Sequence, residues 1–189
     1  MEMNVLIGNE KLLKRVIIAT WIISLIILEM SSFGERGILN CCKNFKIFDM
    51  RLNYNANSVY SSLKRLPEKG ILHYKIYLIV DGVMTIAFAG IQYLLADYIG
   101  NNNNVKRILN SLLVVRMFCD LIENTCIMFV LNLLPMECIK TITFSSIVTK
   151  IKFIALSGFI IFFIGLYTRN LFKKVKNNFK LKKIALEGK

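Results

Sequence analysis

Four apolar stretches recur along this chain, each close to the thickness of a bilayer, with the charged residues gathered between them. A hydrocarbon core of about 30 Å takes about 20 helical residues at about 1.5 Å each. Stretches at about 16–33, 76–96, 108–134 and 147–168 meet that length. Lys14-Arg15 and Glu35-Arg36 bracket the first, Lys75 and Asp97 the second, Arg107 and Pro135 the third, and Arg169 follows the fourth. The pattern predicts an all-α fold, a four-transmembrane-helix bundle over residues 1–170, with a basic tail over 171–189.

Composition agrees with a chain whose solvent changes along its length. Hydrophobic residues make up 55% against about 45–50% in soluble domains, yet Lys+Arg number 25 against 12 Asp+Glu. A net charge of +13 could suit nucleic acid, but the cations sit in loops and the tail beside apolar runs, without interleaved aromatic platforms. They read instead as juxtamembrane anchors for anionic lipid headgroups, above all Lys173, Lys174, Lys176, Lys180, Lys182 and Lys183 in the tail. The tail is expected to lie outside the packed fold. With both termini on one side, that side holds 13 Lys and Arg and the other 11. The tail and the short loop adjoin helix ends, so both termini are expected in the cytoplasm and the protein in the plasma membrane.

The segment between the first two spans is polar and basic. Val59, Leu63 and Leu66 recur at helical spacing before Pro67 and Gly70. This predicts one short amphipathic helix, capped by Asn57 or Ser58, on the bundle mouth or the membrane surface. His73 and Tyr74 fall where an interfacial aromatic belt belongs, and Gly82 and Gly90 where helices pack closely. The run from Asn101 to Asn104 reads as a hairpin connection. No metal site or cofactor is expected: His73 is the only histidine, and the five cysteines contain no CxxC. Cys138 could pair with Cys41 or Cys42, but adjacent cysteines and an odd count favour free thiols.

Chemistry concentrates in the middle helices. Arg116 and Asp120 stand at i and i+4, and Glu123 and Asn124 continue the same face. On the second span, Tyr74, Asp81, Thr85 and Gln92 also share a face, and the two stripes are expected to oppose each other. Lys150, entering the fourth span, is expected to join them. Charges inside a bilayer normally turn inward and find partners. The candidate cluster is therefore Asp81, Arg116, Asp120, Glu123, Asn124 and Lys150, in which carboxylates outnumber cations.

The stretch from Asp49 to Tyr54, the short helix through Val59, Tyr60 and Leu63, then Gly70, Tyr74, Asp81 and Asp120-Leu-Ile-Glu-Asn124 resemble a group of small uncharacterised bacterial four-helix integral membrane proteins. The resemblance covers about residues 48–168 and departs at Lys140-Thr-Ile-Thr143, which is more polar than the pattern. It implies the architecture and points to Asp81, Asp120, Glu123 and Asn124, without an activity. Two functions stay open. In one, the polar cluster fixes helix packing and can hold a polar group, ion or lipid headgroup. In the other, a membrane enzyme uses Asp120 or Glu123 as general acid or base on a lipid or isoprenoid. The expected partners are the bilayer and its anionic headgroups, with a lipid or small-molecule ligand, a homo-oligomer or another membrane protein left open.

Overall fold

Caps and breaks in the sequence set where the helices begin. The computed structural model describes residues 2–48, 50–100 and 102–187, with side chains described over 11–48, 50–100, 102–173, 175 and 176. Among these lie six helices: α1 (Glu2–Met30), α2 (Glu35–Cys41), α3 (Ala56–Leu63), α4 (Glu68–Ile99), α5 (Asn103–Leu133) and α6 (Ile139–Glu187). α1 stops short of Phe33 because the chain turns at Ser31–Gly34, where Gly34 N–H donates to Ser31 O at 3.1 Å. A Cβ at Gly34 would stand 2.1 Å from Leu28 O, so this close approach of backbone to backbone requires glycine. Asn102 caps α5, accepting from Asn104 N–H at 3.2 Å. Asn101, in the middle of that connection, lies outside the described residues.

Three helical stretches are long and apolar enough to cross a membrane: Lys11–Cys41, Glu68–Ile99 and Ile139–Lys173. The first includes the turn between α1 and α2. α5 has 31 residues, but Arg116, Asp120 and Glu123 lie in its middle. α5 packs between α4 and α6, and α1 lies on α4. Gly90 permits that last approach, since a Cβ there would meet Ile17 at 3.0 Å. By contrast a Cβ at Gly82 would meet only Leu121, at an ordinary 3.8 Å, so Gly82 is not a close-packing point.

The segment between α2 and α4 corrects the expectation of a polar loop. Phe45, Ile47, Phe48, Tyr54, Val59, Tyr60, Leu63 and Leu66 are all buried, in one core with Tyr74, Tyr77, Ile127, Val130 and Ile142. The segment is a packed cap on one end of the bundle. Its lysines stay outside and Arg51 is half-buried over Phe48 while the apolar residues turn inward, a pattern diluted too far to read as a run. Tyr74 is fully buried, with Phe45 and Phe48 at ring-centroid distances of 5.4 and 5.9 Å, and it accepts from Phe48 N–H at 3.3 Å. His73 is buried too, beside Phe33. Neither forms an interfacial belt, because the cap covers them. α3 is capped by Asn55, not by Asn57 or Ser58: the Asn55 Oδ1 accepts from Ser58 N–H at 2.8 Å and Ser58 Oγ accepts from Asn55 N–H. Tyr60 OH accepts from Cys138 N–H, and Lys64 pairs with Glu137, fastening α3 to the start of α6.

α6 runs unbroken to Glu187, so the tail continues the helix in its backbone; the side chains of Lys174, Lys180, Lys182 and Lys183 lie outside those described. All five cysteines are free thiols.

Candidate functional site

The polar cluster forms because helical periodicity on three neighbouring helices is in antiparallel register. A step of four from Asp81 to Thr85 on α4 is matched by a step back of four from Asn124 to Asp120 on α5. Asn124 Nδ2 donates to Asp81 Oδ2 at 2.7 Å, and Thr85 Oγ1 to Asp120 Oδ2 at 2.8 Å. The same matching joins α5 to α6, where Glu123 meets Thr149 and Asp120 meets Lys152, three residues apart on each helix. Each helix turn thus presents its polar group to one on the facing helix.

Asp120 is the hub. Its Oδ2 also accepts from Arg116 Nη2 at 2.8 Å, and its Oδ1 from Lys152 Nζ at 3.0 Å. Lys152 bridges onward to Glu123 Oε2 at 2.7 Å. Glu123, 0% exposed, takes its hydrogen bonds at Oε1, from Thr149 Oγ1 at 2.6 Å and Tyr54 OH at 3.2 Å. The Arg116 guanidinium lies 4.6 Å from the Phe88 ring centroid, a cation–π contact on its remaining side. Arg116, Asp120, Lys152 and Glu123 therefore form a chain of alternating charge, two of each sign, buried among three helices.

Five of the six sequence-predicted residues lie in this assembly: Asp81, Arg116, Asp120, Glu123 and Asn124. Lys150 does not, which is a correction. It is exposed, and Lys152 is the buried cation. Because α6 starts at Ile139, both lysines lie well inside the helix, not at its mouth. The spacing Ser145, Thr149, Lys152 puts Lys152 on the buried polar face, and Lys150 is turned away. That spacing was a readable signal. Gln92 is buried as expected, but neither of its amide atoms has a hydrogen-bond partner.

Tyr54 carried no such signal, because its partners are 69 to 95 residues away in the chain. It reaches down from the cap so that its hydroxyl meets Ser145 Oγ at 2.7 Å and Thr149 Oγ1 at 3.2 Å as well as Glu123. Its neighbour Asn53 accepts from Ser146 Oγ at 3.3 Å. Burial first, and then the Glu123 carboxylate, push the Tyr54 phenol above its usual range. The neutral form is the one the fold favours, so its contribution is complete below the ordinary phenol range and is lost as pH rises from there through the higher folded value. Tyr54→Phe at neutral pH should lose roughly 1.5–3 kcal/mol, the range for a hydrogen bond to a charged acceptor. Limited proteolysis should then cut within residues 42–55 before the helices, and a parent-like cleavage rate would show that this hydroxyl does not fasten the cap. Asp49, which opens the motif leading to Tyr54, lies outside the described residues.

As a chemical arrangement the site binds its own charges: the carboxylates of Asp120 and Glu123 are each held by cations and hydroxyls of this chain. No protein-family model matches the chain, and no curated protein or solved structure is found to be similar to it.

Proposed function

We propose that this is a four-pass plasma-membrane protein, with α5 as the fourth crossing, whose paired polar cluster locks α4, α5, α6 and the cap in one register as a non-catalytic membrane component. The observation that carries the reading is the inside-out character of α5. Its charged and amide residues Arg116, Asp120, Glu123 and Asn124 are buried, while Val114, Val115, Phe118, Ile122 and Phe129 are exposed. A helix facing water would turn the other way, and lipid is the surrounding that favours this one. The same holds around α1, where Val16, Ile18, Ile22, Ile23 and Ile26 are exposed. α3, with Val59, Tyr60 and Leu63 inward and Ser61 and Lys64 outward, is the amphipathic element at the outer mouth.

The enzyme reading, with Asp120 or Glu123 as acid or base on a lipid or isoprenoid, draws less support, since both carboxylates are already engaged by Lys152 and by Arg116 or Thr149. In the proposed orientation both termini are cytoplasmic and the cap is outside. Cys41 and Cys42 are partly exposed on the cap side, so a membrane-impermeant maleimide should label them in intact cells. Labelling that requires permeabilisation would reverse the orientation.

A further inference from the structure

Asp81 differs from the other two buried carboxylates in what meets it. Arg116 and Lys152 make their ion pairs with Asp120 and Glu123, whereas the group hydrogen-bonded to Asp81 is the neutral Asn124 amide, at 2.7 Å. By donating its Nδ2 to Asp81, the amide turns its carbonyl oxygen elsewhere. That Oδ1 has no partner, on a side chain only 6% exposed. A buried acceptor left unpaired is costly, and most such groups in folded proteins are satisfied.

Asn124 also lines a groove of about 450 Å³ between α4 and α5. Its walls are Leu78, Leu121 and Met128, and Ile79 stands exposed at its rim. Gly82 lines it as well, where a Cβ would meet Leu121 at an ordinary 3.8 Å. Asp81 is one turn, about 6 Å, below Tyr77, the α4 residue that stacks into the aromatic core under the cap. A group at the bilayer interface can reach that level.

We propose that this groove binds a lipid whose headgroup carries a protonated primary amine. The apolar walls take the chain, one N–H of the ammonium donates to Asn124 Oδ1, and the Asp81 carboxylate, 4% exposed and behind the groove lining, supplies the opposite charge from the far side of the Asn124 amide. The chemistry selects among headgroups. A quaternary ammonium has charge but no N–H for the carbonyl, a glycerol headgroup has hydroxyls but no positive charge, and a bare phosphate is repelled by the carboxylate. Asn124 Oδ1 is covered at rest, so binding includes a small rotation of the amide into the groove. The inference rests on α4 and α5 crossing the bilayer.

The test uses the full chain in detergent, offered equal amounts of lipids with identical acyl chains and ethanolamine, choline or glycerol headgroups, with retained lipid read by native mass spectrometry. Retention of the ethanolamine lipid is expected to exceed that of the choline lipid by about tenfold, the scale of one charge-assisted hydrogen bond. Asp81→Asn, which keeps shape and removes charge, should abolish the preference. Gly82→Leu, which fills the groove and leaves both polar groups, should abolish it as well. Equal retention of the ethanolamine and choline lipids by the parent overturns the proposal, as does a preference that survives both substitutions. Extraction of native membranes with alkaline carbonate separates the two levels: a released chain overturns the membrane reading along with this one, whereas an embedded chain without headgroup preference overturns this one alone.

Discussion

Lys152→Met is expected to destabilise the bundle by about 3–5 kcal/mol, the range for removing one member of a buried charge pair. The ammonium lies 3.0 Å from Asp120 Oδ1 and 2.7 Å from Glu123 Oε2, so one substitution takes the cation from two carboxylates. Asp120 keeps Arg116 and Thr85. Glu123 keeps only the hydroxyls of Thr149 and Tyr54 among the partners described, at a position with no exposure. Hydroxyls can solvate a carboxylate but cannot neutralise it, and a methionine of similar length leaves no room for water to enter. Lys150→Met provides the control, because an exposed lysine on the same helix should change stability by about 0.5 kcal/mol or less. Thermal unfolding in detergent, followed by loss of helical circular dichroism, compares the two. Similar melting temperatures for both variants would remove Lys152 from the lock.

What the sequence made legible here is what repeats at helical spacing within one helix. The stripe of Arg116, Asp120, Glu123 and Asn124 was readable because i, i+4 and i+7 residues must share a face, and α5 presents that face to α4 and α6. Its opposition to Asp81 and Thr85 was also readable, since polar faces in an apolar setting have only each other to meet. Lys152 was obscured by its neighbour Lys150: two cations near the start of an apolar run look like a boundary, and the Ser145, Thr149, Lys152 spacing that separates them counts only in a helix that already starts at Ile139. The packing of the cap was not legible, although its short helix through Val59 and Leu63 was. Its burial depends on contacts such as Tyr54 with Ser145 and Tyr60 with Cys138, which join segments roughly eighty to ninety residues apart. The tail differs again: its lysines have good helix propensity, so charge density alone did not end α6.

Asp120 and Arg116 together distinguish an architectural cluster from a working one. Asp120→Leu alone strands the Arg116 guanidinium, whose other polar contact is a long 3.5 Å donation to Thr85 O, while Lys152 retains Glu123. The expected loss is again about 3–5 kcal/mol. Arg116→Met alone should be milder, because Asp120 still has Lys152 and Thr85. The double variant removes one charge of each sign and leaves the Lys152–Glu123 pair intact, so most of the stability lost in Asp120→Leu should return. Replacing a buried pair by apolar residues of similar volume is often neutral or stabilising, and the Phe88 ring over Arg116 offers the new methionine an apolar surface. The order of melting temperatures is therefore expected to be parent and double variant together, Arg116→Met below them, and Asp120→Leu lowest. Additivity of the two single losses in the double variant would mean that the residues act independently, and the alternating-charge chain would not be the unit that holds these helices.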